Sequence, residues 1–310
     1  MINGAFHLGD EKVEISGLYP DVNGRTFEQV FNKTGVRNTY ILSSEKTSFD
    51  LAKDSILELS KTINLSKIDA LIVVSQTNCH TLPPVSFRLQ KEFNLSKNLF
   101  LLDIQHGCSG FVYALINSLA IREALNKSNL LILTMESYSL FISDNDLTTK
   151  TLFSDAAAVL NFNDNNLPKL LNAEFYSDGN GAKDLYIKGQ CTDFNPTLKM
   201  HGGSILLTVI QVLPNLCLKC LDNANLKIDD VDIFLFHQAS KAVIDALVIS
   251  IGLPKDKLYF DIENIGNTVS SSIPIAIMNL QSQGINLSGK KILMAGFGVG
   301  FSAAVGCFEF

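Results

Sequence analysis

Short apolar runs of four to eight residues alternate with segments whose apolar positions recur every three or four residues. That alternation predicts an α/β protein built on a largely buried sheet. In the first half the strand-like runs are 70–74, 99–102, 130–133 and 157–160, and in the second 231–236, 291–295 and 303–310. Segments 109–125, 203–221, 240–251 and 271–283 carry the helical period.

The pattern repeats itself. Ile68–Val74 echoes Val231–Phe236, and Ser154–Phe162 echoes Ser302–Phe310, which points to a duplicated αβ half. Segment 163–200 is polar, with Asp178, Gly179, Asn180 and Gly181 and then Asn195 and Pro196, and is read as the connection between halves. The boundary is placed near 165, giving halves 1–165 and 166–310.

Composition narrows the class. With 310 residues, 46% hydrophobic and 18% charged, the chain holds enough apolar side chains for one large core or two similar ones. The net charge of −6 is dispersed, so no basic face speaks for nucleic acid. Residues 1–20 lack the positive segment and apolar run of a signal peptide, and no apolar run is read as long enough to span a bilayer. A cytoplasmic protein is expected. The six cysteines (79, 108, 191, 217, 220 and 307) are then free thiols rather than a disulfide framework.

One of them sits where a thiol acquires chemistry. Asp103–Leu115 runs off a strand, through the small-residue turn Gly107, Cys108, Ser109 and Gly110, into an amphipathic helix. A cysteine at a helix start feels the positive end of the dipole and unpaired N–H groups, which lower its pKa. Cys108 is therefore expected to be an ionised nucleophile, or else a small buried residue in a tight turn. His237 ends the run 231–236, at the strand end where α/β sheets place their ligands, though a lone histidine also packs. Asn267 lies in a Gly-Asn turn ahead of a serine cluster, with an amide able to donate and accept, and such turns are also purely structural.

The glycines of Gly296, Gly298 and Gly300 feed another strand rather than a helix. They read as a backbone wall, not as a dinucleotide loop. Cys217 and Cys220 have zinc-like spacing but no second ligand pair, so they are assigned to packing. Cys79 and His80 are read as loop residues, and His106 stays outside the catalytic set.

In order and context these motifs resemble the ketoacyl-acyl-carrier-protein synthase III family of the thiolase-like superfamily. The resemblance rests on Gly107–Leu115, Leu152–Ala158, His237–Ser240, Gly266–Thr268 and the terminal Gly296–Phe301. It implies a homodimer of five αβαβα layers. Cys108 would be the acylated nucleophile, His237 and Asn267 would bind the thioester carbonyl of a malonyl-type extender, and Gly298 and Gly300 would wall the oxyanion. The implied partner is acyl carrier protein, and acyl-coenzyme A or carrier-protein thioesters are substrates with no further cofactor or metal.

The chain departs from the family pattern at three places. Gln29 stands where a tryptophan often stacks on adenine, Leu147 where its arginine partner is expected, and Ala242 where a basic residue often meets the carrier, beside Lys241. These departures point to an unusual acyl donor and a specialised pathway. Acyl transfer to an alcohol or amine without condensation, and a silent partner subunit, are the alternatives.

Overall fold

The computed structural model describes residues 1–18, 26–78, 80–187 and 196–310; Cys79, Cys191 and Asn195 lie outside the described residues. In chain order the strands of the first half are β1 (Asn3–Leu8), β2 (Glu11–Glu14), β3 (Asn38–Ile41), β4 (Ala70–Val74), β5 (Phe100–Ile104), β6 (Asn129–Glu136) and β7 (Ala156–Asn163). Its helices are α1 (Phe27–Thr34), α2 (Ser48–Leu59), α3 (Val85–Glu92), α4 (Gly110–Leu125) and α5 (Leu147–Lys150). The second half adds β8 (Lys169–Ser177), β9 (Leu185–Ile187), β10 (Leu198–Met200), β11 (Ile233–Phe236), β12 (Leu258–Tyr259), β13 (Lys291–Gly298) and β14 (Ser302–Glu309), with α6 (Gly202–Asn223), α7 (Lys241–Ile251) and α8 (Ser272–Ser282).

Two five-stranded sheets carry the fold, ordered β1-β7-β6-β4-β5 and β8-β14-β13-β11-β12. Strand for strand they match. Each has an antiparallel edge pair, a second antiparallel pair, then two parallel pairs. The echo between 68–74 and 231–236 is β4 against β11, and that between 154–162 and 302–310 is β7 against β14.

The period-2 alternation of each strand builds three apolar layers. Ala70, Ile72 and Val74 of β4 face inward with Phe111 and Leu115 of α4, Ile273 and Ile277 of α8, and Ile292 and Met294 of β13. Leu71 and Val73 face outward onto Ala52 and Ile56 of α2 and Leu89 of α3. Leu293 and Ala295 of β13 pack on Leu213 and Cys217 of α6 and Leu247 of α7. The order of layers is helices, sheet, helices, sheet, helices. The central pair, α4 and α8, is buried between the sheets, which is why neither shows a polar stripe.

Two sequence expectations need correction. Segment 163–200 is more than a connection, because it supplies β8, the edge strand of the second sheet, and the β9-β10 ribbon. Its alternation Lys169, Leu170, Leu171, Asn172, Ala173 is diluted by polar residues on the open side of the edge strand. Secondly, α6 is long and apolar enough, by length and composition, to cross a membrane. Its Val209, Leu213, Cys217, Cys220 and Leu221 are nevertheless buried on the second sheet and α7. Cys217 and Cys220 are thus packing residues, and Cys108, Cys217, Cys220 and Cys307 are free thiols.

Phe111 has no exposed surface, whereas Ile249 on α7 is 82% exposed. Phe111→Ala is expected to lower unfolding free energy by about 3–5 kcal/mol. Ile249→Ala should stay within about 0.5 kcal/mol, both read from urea midpoints.

Candidate active site

Cys108 lies in the single turn Gly107–Ser109 between the end of β5 and the start of α4. Gly107 occupies the left-handed region at φ 49°, and a Cβ there would meet the Gln76 side-chain oxygen at 2.2 Å. From the other half, β13 lies directly against the sulfur. A Cβ on Gly298 would be 3.2 Å from Cys108 Sγ, so only glycine lets the strand approach this closely. Ser109 Oγ to Ser302 Oγ at 2.8 Å ties the same turn to β14.

His237 follows β11 and is 2% exposed. Its Nδ1 is 2.8 Å from Ser272 Oγ at the start of α8, and Phe297 packs edge-on to the ring. Asn267 is held by backbone on both sides. Its N–H donates to Leu152 O at 2.8 Å and its carbonyl accepts from Ser154 N at 2.9 Å. Within the side chain, Nδ2 donates to Ala239 O at 3.1 Å and Oδ1 accepts from Val269 N at 2.9 Å. The amide is oriented by these bonds, which use one of its two N–H groups. Val269 sits at φ 53°, a costly conformation for a β-branched residue, and the Asn267 bond helps hold it.

The segment Leu152–Ala158 explains itself as scaffolding. Ser154 Oγ donates to Ile265 O at 2.5 Å and accepts from Tyr40 N at 2.9 Å. The Asp155 carboxylate accepts from Leu42 N, from Ser139 N and from Ser139 Oγ.

Cys108, His237, Asn267, Phe297 and Gly298 line one cavity of about 580 Å3. The catalytic trio expected from sequence is brought together. Gly300 is not among the lining residues; at φ 122° it lies in the turn that carries β13 into β14. Gln29, Lys33, Leu147 and Ala242 line the same cavity. Lys241 is bonded to Asp245. His106 is exposed and stacks near Tyr113, with ring centroids 4.5 Å apart, away from the cavity lining. His80 lines a second cavity of about 480 Å3, which shares Leu185 with the first.

The charge state differs from expectation. Burial pushes the Cys108 thiol well up, and the neighbouring Glu136 pushes it further, so the resting sulfur is protonated. The favourable helix start is outweighed by loss of water. Burial likewise lowers His237 to about 3, with the Val269 backbone acting weakly against it, so the imidazole is neutral.

Glu136 and the serines 270 and 272 were not singled out from sequence. The signal available was a glutamate closing the apolar run Leu130–Met135, at a strand end.

Comparison with known proteins finds similar chains and folds along most of the sequence. Residues 102–179 match the family model described as 3-oxoacyl-[acyl-carrier-protein (ACP)] synthase III, and residues 221–310 match its C-terminal counterpart. A beta-ketoacyl-[acyl-carrier-protein] synthase III of Acholeplasma laidlawii is 31% identical, over 89% of this chain and 87% of the relative. A 3-oxoacyl-(acyl-carrier protein) synthase structure from Burkholderia xenovorans superposes with a TM-score of 0.90 at 27% identity, covering 99% of this chain and 93% of that one. One from Thermus thermophilus gives 0.88 at 25% identity, covering 99% and 98%.

A histidine buried neutral costs stability in acid. The unfolded chain takes up a proton near 6.5 and the folded site only near 3, so His237 subtracts stability as pH falls through that window. Expected outcome: between pH 7 and 4, His237→Asn loses less stability than the unsubstituted protein, measured by urea unfolding at each pH.

Proposed function

The chain belongs to the 3-oxoacyl-[acyl-carrier-protein] synthase III family, and from that premise we propose that it carries an acyl group on Cys108 and condenses it, with decarboxylation, onto a malonyl-type carrier-protein thioester. As a family member it is an acyl-transferring synthase of the thiolase-like fold. The observation that carries the finer reading is the convergence of Cys108, His237 and Asn267 on one cavity.

In the first step the Cys108 sulfur attacks the donor thioester carbonyl and gives up its proton. The carbon–sulfur bond to the donor breaks, and the departing thiolate takes that proton to leave as the free thiol. Because the resting thiol is neutral, this proton moves as the thioester binds, not before. In the second step the malonyl carboxylate leaves as carbon dioxide, and its bonding electrons form an enolate at the thioester. The enolate carbon attacks the acyl carbon on Cys108, the carbon–sulfur bond breaks, and the sulfur is reprotonated.

The enolate oxygen needs fixed donors in a site without water. The other Asn267 N–H is one. We assign the Ser272 hydroxyl as donor to Nδ1, so that the neutral His237 ring carries its proton on Nε2 and offers the second. Neither group is a base of useful strength: an amide does not titrate, and His237 is lowered to about 3. Condensation therefore fits better than transfer to an alcohol or amine, which needs a base.

The mouth supports an unusual donor. Gln29 and Leu147 line the cavity where adenine stacking would need an aromatic ring and a cation, and the chain has no tryptophan. We assign the donor to a carrier-protein thioester, in a specialised pathway, with acyl carrier protein as partner and a homodimer as the working unit.

Cys108→Ala should abolish acyl loading seen as a mass adduct on the intact protein. His237→Ala and Asn267→Ala should keep loading and reduce condensation by about 10²–10³-fold, read as carbon dioxide release from malonyl thioester. An acyl-carrier thioester should load Cys108 at least tenfold faster than the matching acyl-coenzyme A; equal rates would remove the donor assignment.

A further inference from the structure

The buried carboxylate of Glu136 has no part in the steps above, yet it touches both halves of the site. It ends β6, is fully buried and does not line the cavity. Every bond to it comes from a donor. Gln76 N donates to both oxygens at 3.2 Å, Thr77 Oγ1 to Oε2 at 2.8 Å, and Ser270 Oγ to Oε1 at 3.1 Å. Gln76 and Thr77 belong to the first half; Ser270 belongs to the second.

Ser270 lies in the turn Val269–Ser271, where successive residues hold the site. Val269 N–H fixes the Asn267 amide, Ser271 Oγ meets Thr134 Oγ1 at 2.8 Å, and Ser272 Oγ meets His237. The turn is anchored to β6 at two points, Thr134 and Glu136, and only the second carries charge. The titratable groups facing Glu136 are Cys108 and Tyr138, both of which feel its negative charge and are raised by it. Tyr138 in turn donates to Gln76 Oε1 at 3.0 Å, beside Gly107.

We propose that Glu136 is a positioning residue: it fastens the turn carrying Asn267 to the Gln76–Thr77 turn, and through Gln76, which packs on Gly107, it sets a negative charge next to the Cys108 turn that restrains the thiol. The inference deepens the reading of Cys108 as nucleophile and rests on it. Reach and charge are separable properties. Gln keeps the reach and removes the charge, since its amide can donate to a serine or threonine hydroxyl and accept from Gln76 N. Asp keeps the charge and loses one methylene of reach.

The test compares Glu136→Gln and Glu136→Asp with the unsubstituted protein in two assays. The first is the rate of Cys108 alkylation by iodoacetamide from pH 6 to 9, with Cys108→Ala as blank. Burial raises Glu136 to about 7, so its charge is present above that pH and absent below. Glu136→Gln should be alkylated about tenfold faster at pH 8.5, as expected for one unit of thiol pKa, and at nearly the unsubstituted rate at pH 6. Glu136→Asp should follow the unsubstituted profile.

The second assay is condensation from the preloaded acyl enzyme. Glu136→Asp should lose at least tenfold in kcat with KM within twofold, and Glu136→Gln should lose less. Equal alkylation of all three proteins across the pH range, or full condensation by Glu136→Asp, would overturn the inference. If no thioester loads Cys108 even in the unsubstituted protein, the acyl-enzyme reading fails, while the alkylation profile still decides whether Glu136 controls the thiol.

Discussion

The structure depends on two helices packed between two sheets. α4 and α8 are packed against apolar side chains from both halves over most of their length, so the polar groups on their sides, such as Arg122 and Asn279, lie at the margins. Their starts are different. At that end the backbone offers unpaired N–H groups, and polar side chains find partners. Duplication puts both starts at one place: the Cys108 turn opens α4, and the Val269–Ser271 turn opens α8. The proposed nucleophile therefore comes from one repeat and the amide and imidazole proposed to serve it from the other.

Close packing at that junction sets the electrostatics. β13 approaches the sulfur through Gly298 and leaves Cys108 only 5% exposed, so solvent does little to stabilise a thiolate. Burial then works in opposite directions on the two titratable partners, raising the thiol and lowering the imidazole, and both end neutral. A resting site of neutral groups avoids an unpaired buried charge next to His237, while the buried acid Glu136 is held by three donors, Gln76, Thr77 and Ser270. Polarity is reserved for the moment when a substrate develops charge.

Much of this was legible in the chain. The short apolar runs located β4, β5, β6, β7, β11, β13 and β14, and the echo between halves anticipated two sheets of equal topology. Cys108, His237 and Asn267 could be named because each stands where a strand or turn gives way to a helix. β8 was hidden because an edge strand keeps polar residues on its open side, whereas α6 was readable from the helical period of 203–221. The thiol's charge was misjudged for a different reason. A helix start is a local feature, visible from Gly107 to Leu115, whereas the burial that overrides it comes from Gly298, 190 residues later. Glu136 was missed on the same ground, since its donors lie at 76, 77 and 270.

The claim that the site rests as a neutral thiol is open to direct observation, because a thiolate absorbs near 240 nm and a thiol does not. The difference in absorbance between the protein and Cys108→Ala, followed from pH 6 to 9 without substrate, should stay flat. A thiolate step with its midpoint below pH 8 would contradict the account.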